Sequence, residues 1–353
     1  MTAESARPEA VAIAIDLGGT QFRVAAVAPG GEIISRAAYP TRSEEASAVL
    51  IGDLVQRTAE AVTGLRGRPI VGLGVAAPGP LDPVRGVVFQ APNLPRWHNV
   101  PLADELQRAT GLQVVLGNDA NLAALAEARC GAGRGAANLV YLTVSTGVGS
   151  GMIINGRMLL GEHGAAAEAG HMAISMDGPL CGCGNRGCLE AYASGTAMAR
   201  RAAEAIEAGR QTILRSRPDD IEAVHIAEAA AEGDALAQEI IAEAGRALGI
   251  GVRNLLHLFN PSVVVIGGGV SRIGAPLWDP MWEIVNTDAM EEYRRDLQIL
   301  PAELGDDPGL IGAGLITHEL LASRSTPFSE PTARTSTAAD VGQATRPAPG
   351  QAN

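Results

Sequence analysis

The chain has 353 residues, 46% of them hydrophobic, which is enough to bury two ordinary cores, so two lobes are expected. A net charge of −12 and an aromatic content of 3% argue against a surface that binds nucleic acid by charge or by base stacking. There is no lysine, all 27 basic residues being arginine, and this excludes a phosphate site built on a Walker-type lysine.

The first ten residues, MTAESARPEA, lack the cationic start, apolar run and cleavage site of a secretory signal and are expected to be flexible. No stretch approaches the ~20 apolar residues of a membrane-spanning helix, so a cytoplasmic protein without a membrane partner is expected. The run VAIAID (11–16) ends in LGGT and restarts as QFRVAAVA (21–28), two strands joined by a glycine turn. QVVLGNDANLAALAEARCG (113–131) reads as a strand, then Asn118 and Asp119, then a helix ending at Gly131. LVYLTVS (139–145), TGVGSG and MIINGRMLL (152–160) repeat the strand, turn, strand pattern, an echo of the first unit. A long helix is expected from about Ala235 to Phe259, stopping at Asn260-Pro261, and PSVVVIGGGVS (261–271) reads as a buried strand running into three glycines. Residues 323–353, rich in Pro, Ser, Thr and Ala without apolar period, read as a disordered tail.

Two Gly/Thr turns in one chain suggest a polyphosphate cradle, because glycine lets backbone N–H groups approach a ligand and admits positive φ. Asp16, at a strand end beside the first turn, is placed either for the cation such a site needs or as an ordinary turn aspartate. Asp119, at a strand-to-helix junction, is equally a helix cap or a base at the carboxyl end of a strand. Three of the four cysteines crowd into CGCGNRGC (181–188), ten residues after His171. In a reducing compartment that crowding is no disulfide framework, so something else must hold them.

The segments DLGGT (16–20), PGPLD (78–82), PNLPRW (92–97), NDAN (118–121), STGVGSG (145–151), EAGH (168–171), CGCGNRGCLE (181–190) and IGGG (266–269) resemble, in the same order, those of the ROK sugar kinases and repressors. This resemblance covers about residues 11–320. It implies an α/β, two-lobed actin-like ATPase fold, related to ribonuclease H and hexokinase, with the active site in the interlobe cleft. The lobes are expected at 11–125, completed by a helix at about 309–322, and at 126–308, the latter holding a zinc loop.

By the same resemblance Asp16, Gly18, Gly19 and Thr20 form the first phosphate loop, Thr146, Gly147 and Gly149 the second, and Gly267 and Gly268 a wall beside adenosine. Asp119 is the general base on the sugar 6-hydroxyl. Gly79, Asn93, Asn118, Glu168, His171 and Glu190 complete the sugar site. His171, Cys181, Cys183 and Cys188 match the family's structural zinc ligands. Zn²⁺ takes four tetrahedral N and S ligands, and Gly182, Gly184 and Gly187 allow the tight backbone that a small ion requires. Losing that metal is expected to loosen His171 and Glu190 while the phosphate turns persist. Cys130 reads as a small packed hydrophobe. His98, His163, His225, His257 and His318 have no motif partners and read as surface or packing residues. Gln21 stands where the family often has lysine, and Ala167 and Ala169 where glycine and a larger apolar residue are usual.

These readings converge on an ATP- and Mg²⁺-dependent hexose kinase, a glucokinase first, with N-acetylhexosamine, mannose or fructose as alternative substrates. A sugar-sensing regulator of the same family is the rival of another class. It is disfavoured because Val11 leaves no room for a preceding helix-turn-helix and because Asp119 is retained. A homodimer is the default assembly.

Overall fold

The structure is a computed structural model that describes residues 9–91, 93–216 and 220–322. Both the tail expected at 323–353 and the first eight residues lie outside them.

Strands β1 (Val11–Leu17), β2 (Gln21–Val27) and β3 (Ile33–Pro40) form an antiparallel meander, followed by helix α1 (Ser47–Gly64) and strand β4 (Ile70–Ala77). A small sheet of β5 (Leu81–Asp82), β6 (Val87–Ala91) and β7 (Leu94–Val100) comes next, a unit that the sequence reading did not anticipate. Helix α2 (Leu102–Thr110), strand β8 (Val114–Asn118) and helix α3 (Asp119–Cys130) complete the first half. The first large sheet has the order β3-β2-β1-β4-β8.

The second half contains β9 (Leu139–Val144), β10 (Val148–Ile154) and β11 (Arg157–Met158), then helices α4 (Glu190–Ala193), α5 (Gly195–Glu207), α6 (Ala223–Ala231) and α7 (Ala235–Phe259). Strand β12 (Val263–Gly267), helices α8 (Ala275–Asp288) and α9 (Glu291–Arg294), strand β13 (Gln298–Pro301) and helix α10 (Pro308–Ala322) follow. Its sheet has the order β11-β10-β9-β12-β13. In both sheets an antiparallel hairpin leads and two parallel strands follow, so the echo seen in the sequence is a repeated topology. The pattern is the duplicated unit of a two-lobed actin-like ATPase.

Alternation within β1 explains how one sheet serves two layers. Val11, Ile13 and Ile15 pack with Leu50 and Leu54 of α1, whereas the small Ala14 joins a core with α3 and α10. Helix α10 lies so close to β4 that a Cβ on Gly74 would come within 2.5 Å of the Thr317 hydroxyl. That shared core also takes in Leu139, Tyr141 and Ile153 of the second sheet, so α3 and α10 are the packed layer between the sheets. The division drawn at 125/126 falls inside α3, which is one unbroken helix.

On the outer face of the second sheet, α7 packs along α8. It runs over the stretch the sequence indicated and ends in a left-handed Asn260, φ 43°. Close approach is built into α7 as well: a Cβ on Gly249 would meet the Met281 carbonyl at 2.7 Å, and one on Gly251 the Leu189 side chain at 2.6 Å. The second contact fixes the chain between Cys188 and Glu190.

Candidate functional site

The strand ends converge on a cavity of about 420 Å³ lined by Asp16 and Arg23 from the first sheet, Asp119 and Ala120 from α3, and Thr143, Ser145, Gly268 and Arg272 from the second half. Asp16 reaches it at the end of β1, where it pairs in register with Arg23 of β2. Arg23 Nη1 donates to Asp16 Oδ2 at 3.2 Å and to the Asp306 carbonyl, and it lies 3.7 Å from Asp307. Despite that cation, burial raises the Asp16 pKa to about 6, with the negative charge of Asp119 adding to the rise.

Asp119 is the first residue of α3, and the cap is its neighbour: the Asn118 side chain accepts the Asn121 N–H at 3.1 Å. The Asp119 carboxylate accepts the adjacent Ala120 N–H, at 2.7 Å, and the Asn118 amide, and it lines the cavity. The alternative left open by the sequence, that Asp119 is merely a cap, therefore goes to Asn118. Protein packed around the Asp119 carboxylate disfavours its charge, and with the field of Glu168 this raises the pKa to about 6.

The remaining sugar candidates form contacts around this point without lining the cavity itself. A Cβ on Gly79 would lie 3.2 Å from Asn118 Nδ2, and one on Gly19 would lie 2.5 Å from the Asn93 Cβ. The first turn and Asn93 thus touch directly. Gly18 closes that turn through its N–H to the Gln21 carbonyl, and Thr20 is exposed beside it. Glu168 precedes a single helical turn, Ala169–His171, which Ser150 anchors by accepting the Ala169 N–H at 2.9 Å.

The second turn is held from two sides. At its tip Thr146 is exposed, and its carbonyl accepts the Thr196 hydroxyl at 2.7 Å, bringing the start of α5 against the turn. Glu190 covers Gly147, where a Cβ would come within 2.6 Å of Oε2, and that same oxygen accepts the Val148 N–H at 3.0 Å. A Cβ on Gly149 would meet Thr143 at 2.9 Å. Contrary to the sequence expectation, Gly19 and Gly147 do not have positive φ; what excludes a side chain at each is the close approach of Asn93 and of Glu190. Positive φ is found at Gly268, 89°, where the backbone folds back over Val144.

His171, Cys181, Cys183 and Cys188 place one ligand atom each within 4.8 Å of one another. Cys183 and Cys188 Sγ are 3.7 Å apart, as are Cys181 Sγ and His171 Nδ1. A disulfide needs about 2.05 Å, whereas sulfurs on a tetrahedral ion with 2.3 Å bonds stand about 3.8 Å apart. The donor set and its spacing fit a closed tetrahedral site. Gly184 and Gly187, φ 90° and 73°, make the turns that wrap it. Cys181 Sγ also lies 3.5 Å from Glu190 Oε1, so one carboxylate joins the sulfur cluster to the second turn. The cluster and the second turn, far apart in sequence, are thus in contact through Glu190.

Sequence reading missed Arg23, Arg272, Tyr141 and a second cavity of about 430 Å³, lined by Gly267, Gly268, Ser271, Arg272, Trp278, Ile299, Pro301 and Ala302. The hairpin register could have revealed Arg23, since a turn at 18–20 pairs it with Asp16. It also missed Glu127, fully buried in α3, whose carboxylate accepts the Ala132, Glu303 and Leu304 N–H groups and so fixes the loop that leads to α10.

Comparison with known proteins agrees with this geometry. A glucokinase of Thermotoga maritima is 38% identical over 316 residues, 88% of this chain and 98% of its own. A ROK family glucokinase from Streptomyces griseus, solved in complex with glucose and AMPPNP, superposes with a TM-score of 0.73 at 36% identity, covering 88% of this chain and 99% of that one. A ROK family transcriptional regulator homologous to the E. coli Mlc protein superposes at 0.80 with 29% identity, covering 89% and 79%. The ROK family pattern matches residues 12–320, and with these relatives it establishes that the chain is a member of the ROK family.

Proposed function

We propose that this protein is an ATP-dependent hexose kinase that transfers the γ-phosphoryl group to the 6-hydroxyl of glucose. The observation that supports this most is Asp119 itself: a carboxylate with a pKa near 6, relieved of capping duty by Asn118, and open to a cavity that Asp16 and the backbone of Gly268 also line. A base of that strength is ionised at neutral pH and can take the hydroxyl proton as the oxygen attacks phosphorus. The apolar second cavity, with the Trp278 indole N–H fixed on the Ser271 carbonyl at 2.8 Å, suits a nucleoside beside the Gly267–Gly268 wall. In this reading the turns at 18–20 and 146–149 supply backbone N–H groups to the phosphates, other than those of Gly18 and Val148, which Gln21 and Glu190 accept.

Asp16 is the residue that would hold the Mg²⁺ accompanying ATP, an ion that neutralises charge on the phosphates. Burial raises its pKa even beside Arg23, so a cation at this carboxylate would favour its charged form. The Cys₃His cluster would hold a structural zinc, which keeps the 171–190 loop in shape. In this reading Asn93, Asn118, Glu168, His171 and Glu190 grip the sugar hydroxyls, with Gly79 lining the pocket.

The resemblance to a regulator leaves a second reading, a sugar sensor without turnover. A coupled-assay screen of glucose, N-acetylglucosamine, N-acetylmannosamine, mannose and fructose with ATP separates them. The expected result is ATP-dependent turnover with the highest kcat/KM for glucose. Preference for another sugar would move the substrate assignment, and saturable sugar binding with no turnover would make the protein a sensor.

A further inference from the structure

The two cavities meet at three residues, Gly268, Arg272 and Gly305, and only one of these has a charged side chain. One cavity is polar and contains the reactive carboxylates; the other is apolar and suits a base. A nucleoside triphosphate laid across them passes its phosphates over the junction. Two cations line the cavities among the described residues, Arg23 and Arg272. Arg23 is committed, with its side chain only 16% exposed and held by Asp16, Asp307 and the Asp306 carbonyl. Arg272 is available: its side chain is 64% exposed and its partner is the equally exposed carboxylate of Asp306, at 2.5 Å.

The geometry points to Arg272 as the side chain that grips the donor's phosphates, releasing Asp306 to do so, in a protein that has no lysine for the purpose. A pair between exposed groups contributes little, so exchanging it for a doubly charged phosphate bound by a planar fork of donors favours the exchange. Asp306 is then a competitor for the cation, which the nucleotide displaces. The competition is clean because the Asp306 backbone is fixed independently by Arg23. The inference rests on the kinase reading given above and names a residue for it that no motif of the chain contains.

The test is calorimetric titration of the purified full chain, with variants Arg272→Ala and Asp306→Ala, using ATP, ADP and adenosine as probes. Arg272→Ala should weaken ATP and ADP by roughly tenfold or more and leave adenosine unchanged. Asp306→Ala should tighten ATP by roughly two- to fivefold, because it removes the competitor. A structural ion pair would instead weaken ATP equally from either side, and that result would overturn the assignment. So would unchanged ATP affinity in Arg272→Ala, or an equal loss of adenosine, which would make Arg272 a prop of the apolar cavity. If the wild-type chain phosphorylates glucose with ATP while Arg272→Ala binds ATP normally, only Arg272 is misassigned. If the wild-type chain binds no ATP at all, the kinase reading itself fails.

Discussion

Glu190 accepts the Val148 N–H at 3.0 Å through one carboxylate oxygen, while the other oxygen lies 3.5 Å from Cys181 Sγ. One side chain is thereby shared by the cysteine cluster, the second turn and the proposed sugar site. Cys183→Ser, or removal of zinc by a chelator, should therefore raise the glucose KM and lower kcat by roughly 10- to 100-fold. It should also weaken ATP, an effect that a cluster remote from the turn would not have. Elemental analysis should find about one zinc per chain. Full activity in metal-free protein would remove the zinc assignment, and unchanged ATP affinity would remove the link through Glu190.

The turn glycines make a related but separable prediction. At Gly147 a valine side chain must displace the Glu190 carboxylate, and at Gly19 it must displace Asn93. Gly147→Val should impair ATP and glucose binding together, whereas Gly147→Ala, adding one carbon, should do so less. ATP titration of the two variants checks the order, and equal affinity in both would show that Glu190 does not cover the turn.

Ala167 stands at φ 69°, a left-handed conformation that costs a residue with a Cβ about 1–2 kcal/mol. Ala167→Gly should recover part of this, offset by the larger chain entropy of glycine, for a net gain of roughly 0.5–1 kcal/mol. Glu127→Ala should act in the opposite direction by on the order of 3 kcal/mol, since it removes the buried acceptor of three partly buried N–H groups. Denaturant melts measure both, and a less stable Ala167→Gly protein would contradict the strain.

The raised pKa of Asp119 also has a consequence for stability. Its folded value of about 6 exceeds the ordinary 3.8, so the protonated carboxyl favours the fold, and that contribution is lost as pH rises through 6. Above that pH the charge of Asp119 opposes folding. Asp119→Asn should raise Tm at pH 8 and leave it nearly unchanged at pH 4. A lower Tm at pH 8 would mean that the carboxylate stabilises the protein it was thought to burden.

Much of the fold was legible because it rests on local patterns. The paired hairpins, the helix after Asn118 and the long helix ending at Asn260 all follow from strand runs, glycine turns and a proline stop. The small β5–β7 sheet was not, because β5 has only two residues and β7, LPRWHNV, buries every third residue rather than every second. Within the candidate site, motifs are visible in the sequence and the partners of their residues are not. Nothing near position 190 announces that its carboxylate accepts an N–H from residue 148, and Arg23, Arg272 and Asp306 meet only once both halves are folded. Neighbours from distant segments, rather than a positive φ set by turn geometry, exclude a side chain at Gly19 and Gly147.

The central claim is that Asp119 takes the proton from the sugar hydroxyl, and the direct measurement is kcat/KM for glucose across pH 5 to 9 in wild type and Asp119→Asn. In wild type the rate should be level above pH 6 and fall about tenfold per pH unit below it, as the carboxylate with a pKa of about 6 protonates. Asp119→Asn should be slower by roughly 10² to 10⁴ and lose the acid limb, while still binding glucose. A variant that keeps a near wild-type rate with the same acid limb would show that another group is the base.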